Sequence, residues 1–110
     1  MATFEEFQRI DMRVGTITAA AHLPAARKPA ITLEIDFGDA IGTRSSSAQI
    51  TAHYAPEQLV GRQVVAVVNF PARRIAGFVS EVLVLGAMPE PHDVVLLAPD
   101  SVVPNGTRIG

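Results

Sequence analysis

The chain has no cysteine, no tryptophan and a single tyrosine among its 110 residues. Without cysteine there is no disulfide framework, no thiolate metal site and no thiol nucleophile. With five Phe and one Tyr as its whole aromatic complement, stacking platforms for nucleic-acid bases are few. No apolar stretch approaches membrane-spanning length, so no membrane insertion is expected. The opening residues, MATFEEFQRIDM, carry acids where a secretory leader would carry a basic stretch followed by an apolar run, which points to a cytoplasmic protein. A basic excess is missing too. The formal net charge is −2, whereas nucleic-acid binders are usually basic overall, although a total does not forbid a local basic patch.

What is present is apolar: 48% of the residues are hydrophobic, enough to build a core within one compact domain spanning 1–110. Thr3 to Arg9 reads as a short helix. Thr3 can cap it, Glu6 completes a capping box, and Phe4 and Phe7 share a face. So short a helix is unstable alone, and its Phe pair needs a packing partner, either the body of the protein or a second subunit. Asp11 to Ala21 reads as a strand in which Gly15 signals a bulge or tight bend. His22 to Pro29 is a proline-punctuated loop. Ala30 to Phe37 alternates cleanly, with Ile31, Leu33, Ile35 and Phe37 on the apolar face. Gly38 to Ala40 turns the chain, and Ile41 to Ile50 completes a hairpin. Ala52 to Val60 contains a helical turn with Pro56 near its start. Gln63 to Phe70, apolar on both faces, is a central strand. Arg74 to Phe78 is ambiguous, Ser80 to Leu85 and Asp93 to Leu97 are strands, Met88 to His92 is a loop, and Pro104-Asn105-Gly106 is a turn.

Five or six short strands with a small helix between the third and fourth favour an all-β architecture. The OB-fold, a five-stranded Greek-key barrel, has that arrangement. The strand pattern alone also accommodates a small β-sandwich.

Nothing in this pattern builds a catalytic or metal site. His22, His53 and His92 are far apart and match no ligand spacing. Ser45-Ser46-Ser47 lacks a nucleophile elbow, Asp39 is a turn residue after Gly38, and no glycine loop is built to cradle phosphate. No enzyme activity, cofactor or metal is expected. The segment NFPARRIAGFVSEVLVLG, Asn69 to Gly86, is different. Asn69 breaks the apolar run where its amide can fix a loop or touch a ligand. Pro71 restricts the backbone, and Arg73 and Arg74 project guanidinium forks suited to phosphate or carboxylate. Read from chemistry alone, they are either a binding rim or a solvated pair that protects a sheet edge from aggregation. Arg44 and Ser46 lie on one face of the preceding hairpin and Gln49 on the other. Phe70 and Phe78 flank the arginines, either as core or as the border of an apolar groove for a polypeptide segment.

Several ordered motifs, DMRVGTI, SSAQIT (Ser46 to Thr51), NFPARRIAGFVSEVLVLG and DVVLLAPDSVVPNGTRIG, together resemble the CsaA family. These are small bacterial chaperones associated with protein export, within the wider group of structure-specific tRNA-binding domains. The resemblance implies an OB-fold with N- and C-terminal extensions that build a homodimer, with Phe4 and Phe7 at the dimer contact. It also implies no cofactor and no catalysis. The implied partners are unfolded or pre-export polypeptides, with tRNA as the alternative. The wider group's basic segment is matched at Asn69, one or both arginines, Gly77 and Ser80, so the resemblance carries a tRNA-backbone role to those positions only. Glu81 and Val82 depart from it, and a carboxylate there would repel phosphate. The expected peptide- or tRNA-binding set is Arg44, Ser46, Gln49, Asn69, Phe70, Arg73, Arg74, Phe78 and Ser80. Peptide binding ranks ahead of tRNA binding.

Overall fold

A computed structural model describes residues 1–110. The chain forms α1 (Phe4–Gln8), β1 (Met12–His22), β2 (Ile31–Asp36), β3 (Thr43–Ala48), α2 (Pro56–Leu59), β4 (Gln63–Val67), β5 (Arg73–Ile75), β6 (Phe78–Ser80), β7 (Leu83–Val84), β8 (Gly86–Glu90) and β9 (Asp93–Leu96). Five strands make one antiparallel sheet in the order β3-β2-β1-β4-β7. The sheet curls until its edges meet. The Glu81 and Val82 amides both donate to the Ser45 carbonyl, at 2.8 and 3.3 Å, and the Ser47 amide donates to the Ser80 hydroxyl at 3.0 Å. The result is the OB-fold-like barrel expected from the strand pattern, with α2 between its third and fourth strands. Removing both edges satisfies backbone groups that an open sheet would leave bare.

The alternation in β2 decides what fills the barrel. Ile31, Leu33 and Ile35 are buried, with Phe37 just beyond them. They pack against Ile17, Ile50, Leu59, Val64, Ala66 and Val82. Gly15 is not the bulge that the sequence suggests. The register shift in β1 lies between Ile17 and Ala19. Gly15 instead makes room for the core, since a Cβ there would sit 2.6 Å from Ile35 Cγ2 and 2.7 Å from Phe37 Cδ1.

Two further hairpins lie outside the barrel sheet. The ambiguous stretch after Pro71 is the hairpin β5–β6. Its two-residue turn puts Ala76 at φ 50° and Gly77 at φ 81°, the left-handed pair that suits the twist of the flanking strands. The second corrects the loop expected at Met88 to His92. Residues up to Glu90 form β8, which pairs with β9 as Gly86↔Leu96 and Ala87↔Val95. The two prolines of MPEP hide the strand from a sequence pattern. The Tyr54 hydroxyl accepts the Leu96 amide at 3.0 Å, and His53 pairs with Asp93, so the residues before α2 hold this hairpin to the barrel.

Both termini are tied to the same end of β1. The Gly106 amide donates to the Val14 carbonyl at 2.7 Å, through the turn anticipated at Pro104-Asn105-Gly106, and Ile109 donates to Met12 at 2.9 Å. Arg13 clamps Asp11 at 2.6 Å and the Gly106 carbonyl at 3.0 Å, and the Asp11 bond holds its guanidinium above the usual value. The Thr3–Glu6 capping box is present as expected. Yet α1 buries none of its residues: Phe4 is 67% exposed and Phe7 37%. No helix is long and apolar enough to cross a membrane.

Candidate functional site

The backbone of the loop between β1 and β2 is pinched at its base. The Leu23 amide donates to the Ala30 carbonyl at 3.0 Å, and the Ala26 amide to Leu23 at 3.2 Å. Arg27 and Lys28 therefore ride on a short, restrained bend bounded by Pro24 and Pro29. Across from them stands the hairpin β5–β6, and between lies β3. These three elements enclose an open groove of about 790 Å³, lined by Ala25, Ala26, Arg27, Lys28, Ala30, Ser47, Gln49, Arg73, Ile75 and Ala76. Three of the chain's nine basic residues meet there, and none of the ten lining residues is acidic. None of the three cations forms an ion pair; the only pairs are Arg13–Asp11 and His53–Asp93. The slightly acidic total thus hides a locally positive cleft.

The groove continues at both ends. Lys28 and Gln49 also line a cavity of about 390 Å³ with Thr51, Ala52 and His92. At the other end Ser47, Arg73 and Ile75 border a smaller pocket of about 180 Å³, walled by Phe70, Pro71, Val82 and Leu83, with Glu81 and Ser80 beside them. The track runs from the pocket bounded by Phe70 and Leu83, past three cations and several small aliphatic residues, to the cavity beside His92.

The residues expected at the site divide. Arg73, Gln49 and Phe70 line these cavities, as does Ser80. Arg74 does not, because alternation along β5 sends Arg73 and Ile75 one way and Arg74 the other; its Nη1 lies 3.4 Å from the Gly77 carbonyl. Ser46 is fully buried and donates to the Val82 carbonyl at 3.1 Å, so it presents nothing to a ligand. Ser80 is nearly buried, its hydroxyl spent on the Ser47 amide. Asn69 fixes a segment, but the one before the barrel: its Nδ2 donates to the Arg9 carbonyl at 2.8 Å and its Oδ1 accepts from the Asp11 amide at 2.9 Å. Arg44 folds onto its own turn, donating to the Ile41 carbonyl at 3.3 Å. Phe78 is half-buried and lines none of the three cavities. Glu81 accepts from the Ser45 amide at 3.0 Å and from its hydroxyl at 2.9 Å. These bonds, with Arg44 adding attraction, hold its carboxyl below its ordinary value. It serves barrel closure.

Arg27, Lys28 and Ser47 were not singled out by the sequence reading. The signal was the adjacent basic pair in HLPAARKP, on the loop that follows the first strand. In an OB-fold that loop flanks the ligand-binding face.

A family model described as a putative tRNA-binding domain matches residues 12–108. A solved CsaA chaperone from Bacillus anthracis str. Ames superposes with a TM-score of 0.95 at 60% identity, covering 100% of this chain and 99% of that one. The chain belongs to the tRNA-binding domain family, as a CsaA-type member. The CsaA chaperone of Picrophilus torridus agrees, with a TM-score of 0.91 at 45% identity and full coverage of both chains. The methionine–tRNA ligase of Porphyromonas gingivalis is 35% identical over 106 residues, 96% of this chain. The chain spans only 15% of that ligase's length, so the likeness concerns one part of the enzyme.

Proposed function

We propose that this protein is a cytoplasmic, homodimeric chaperone that holds unfolded or pre-export polypeptide segments without catalysis or cofactor. The observation that carries the reading is the groove: unpaired Arg27, Lys28 and Arg73 among Ala25, Ala26, Ala30, Ile75 and Ala76, open to solvent. An extended segment laid there offers carbonyls and acidic side chains to the cations and small apolar groups to the floor. The adjoining pocket under Phe70 takes one larger apolar side chain. Reversible capture of this kind lowers the concentration of free unfolded chain and slows its aggregation by mass action. The likeness to CsaA chaperones along the whole chain supports it.

Dimerisation is proposed from what the single chain leaves bare. Phe4 stays 67% exposed within it and Phe7 37%, and Met88, Val95, Leu97 and Val102 are exposed as well. Burying what remains exposed of Phe4 against a second copy is worth about 1–2 kcal/mol, and of Phe7 less. A Phe4→Asp/Phe7→Asp variant should elute as a monomer in light-scattering chromatography; an unchanged dimer would remove α1 from the contact.

A second reading is supported by the family match over residues 12–108 and by the carboxylate-free lining of the groove: recognition of the tRNA backbone. The two separate by salt. Three phosphate contacts give a slope of log K against log salt of about −2 to −3. Polypeptide capture on aliphatic surface should depend weakly on salt and strongly on truncating Phe70. The test is light scattering of an aggregating unfolded client, with anisotropy of labelled tRNA beside it. Suppression that falls in Phe70→Ala and survives added salt supports the chaperone. Tight tRNA binding with the steep slope and no suppression replaces it with the second reading.

A further inference from the structure

Lys28 is the only lysine in the chain; the other eight basic residues are arginines. It is therefore the only side-chain amine. It is exposed, forms no ion pair, and lines both the main groove and the cavity beside it. Its sequence neighbour Arg27, and Arg73 from the opposite wall, line the same carboxylate-free groove. A guanidinium is fixed in charge and does not act as a nucleophile, whereas a lysine amine, once unprotonated, does. The arrangement thus puts one nucleophile in the same groove as two forks suited to a phosphate group.

We propose that Lys28 is an acylation site whose donor is a small acyl phosphate held by Arg27 and Arg73. The unprotonated Nζ attacks the acyl carbon. A C–N bond forms, the bond between that carbon and the bridging phosphate oxygen breaks, and the electron pair leaves on inorganic phosphate. The amine proton ends on the departing phosphate, directly or through water, so that hydrogen phosphate leaves. The guanidinium groups stabilise the charge that collects on the phosphate as it departs. The product amide carries no charge, so the groove drops from three cations to two. The chemistry stands independently of the proposed function; its consequence, weaker holding of an acidic segment or a phosphate backbone, rests on that reading.

The test incubates the full chain with acetyl phosphate and follows mass and modified position over time. The expected result is acetylation at Lys28 about tenfold faster than in a free peptide spanning His22 to Ala30, because the folded groove concentrates the anionic donor. Arg73→Gln should remove most of that advantage and leave the rate at the chain's α-amine unchanged. Inorganic phosphate should slow the parent. A neutral acetyl thioester should show no preference for the folded chain. A folded-chain rate equal to the peptide's, or one indifferent to Arg73→Gln, would overturn the proposal and leave the chaperone reading untouched. Fast acetylation that leaves polypeptide and tRNA binding unaltered would support the site and count against the proposed groove.

Discussion

Two adjacent basic pairs, Arg27-Lys28 and Arg73-Arg74, meet opposite fates. The first sits on a bend whose base is pinched by the Leu23–Ala30 hydrogen bond, and both of its side chains line the groove. The second sits in a strand, where successive residues face opposite ways, so Arg73 enters the groove and Arg74 leaves it. Neighbours in sequence share a site only where the backbone lets them. A loop can aim two cations at one ligand; a strand delivers every second residue.

Charge reversal breaks this comparison most sharply. Arg73→Glu replaces one of three groove cations by an anion, and affinity for tRNA should fall about tenfold to a hundredfold at low salt, with a smaller loss for an unfolded polypeptide. Arg74→Glu should change it less than about threefold, since its side chain leaves the groove and salt screens a charge at that remove. Arg27→Glu and Lys28→Glu should each resemble Arg73→Glu. If one of them resembled Arg74→Glu instead, the loop would be splitting its pair too. Anisotropy titrations measure all four.

The polar residues near the arginines sharpen the contrast, because they should act on stability and leave affinity alone. Asn69→Ala loses both bonds that hold Arg9 and Asp11, at a cost of about 1–2 kcal/mol in urea unfolding. Glu81→Gln is smaller, about 1 kcal/mol after allowing for its partial exposure. Its pH dependence has a definite sign. The folded-state carboxyl lies below its ordinary value, so its stabilisation is present above the unfolded value and is lost as pH falls through the folded one. Parent and variant should differ at neutral pH and converge in acid. Smallest of all, Ala76→Asn places an Asn-Gly pair at the turn of β5–β6 and should stabilise by about 0.5 kcal/mol, since Ala76 holds φ 50° where Asn is better tolerated.

Much of the barrel was legible in the sequence. The alternation from Ile31 to Phe37, the capping box at Thr3 and the Pro-Asn-Gly turn are local signals, and all three form as read. The β8–β9 hairpin was not, because Pro89 and Pro91 look like loop residues and the pairing is set by tertiary contact with Tyr54 and His53. The site was half legible. Arg73, Gln49 and Phe70 reach the cavities, but the sequence could not say that Ser46 points into the core or that Asn69 is spent on Arg9 and Asp11, since both depend on which distant backbone lies alongside. Arg27 and Lys28 were overlooked because a loop's aim depends on the hydrogen bonds that close it.

The measurement closest to the central claim is an amide chemical-shift titration of the protein with an unfolded polypeptide. The expected perturbations map to residues 25–30, 47–49 and 73–76, and spare Arg44 and the turn between β2 and β3. Perturbations confined to α1 and the β8–β9 hairpin, with the groove silent, would contradict it.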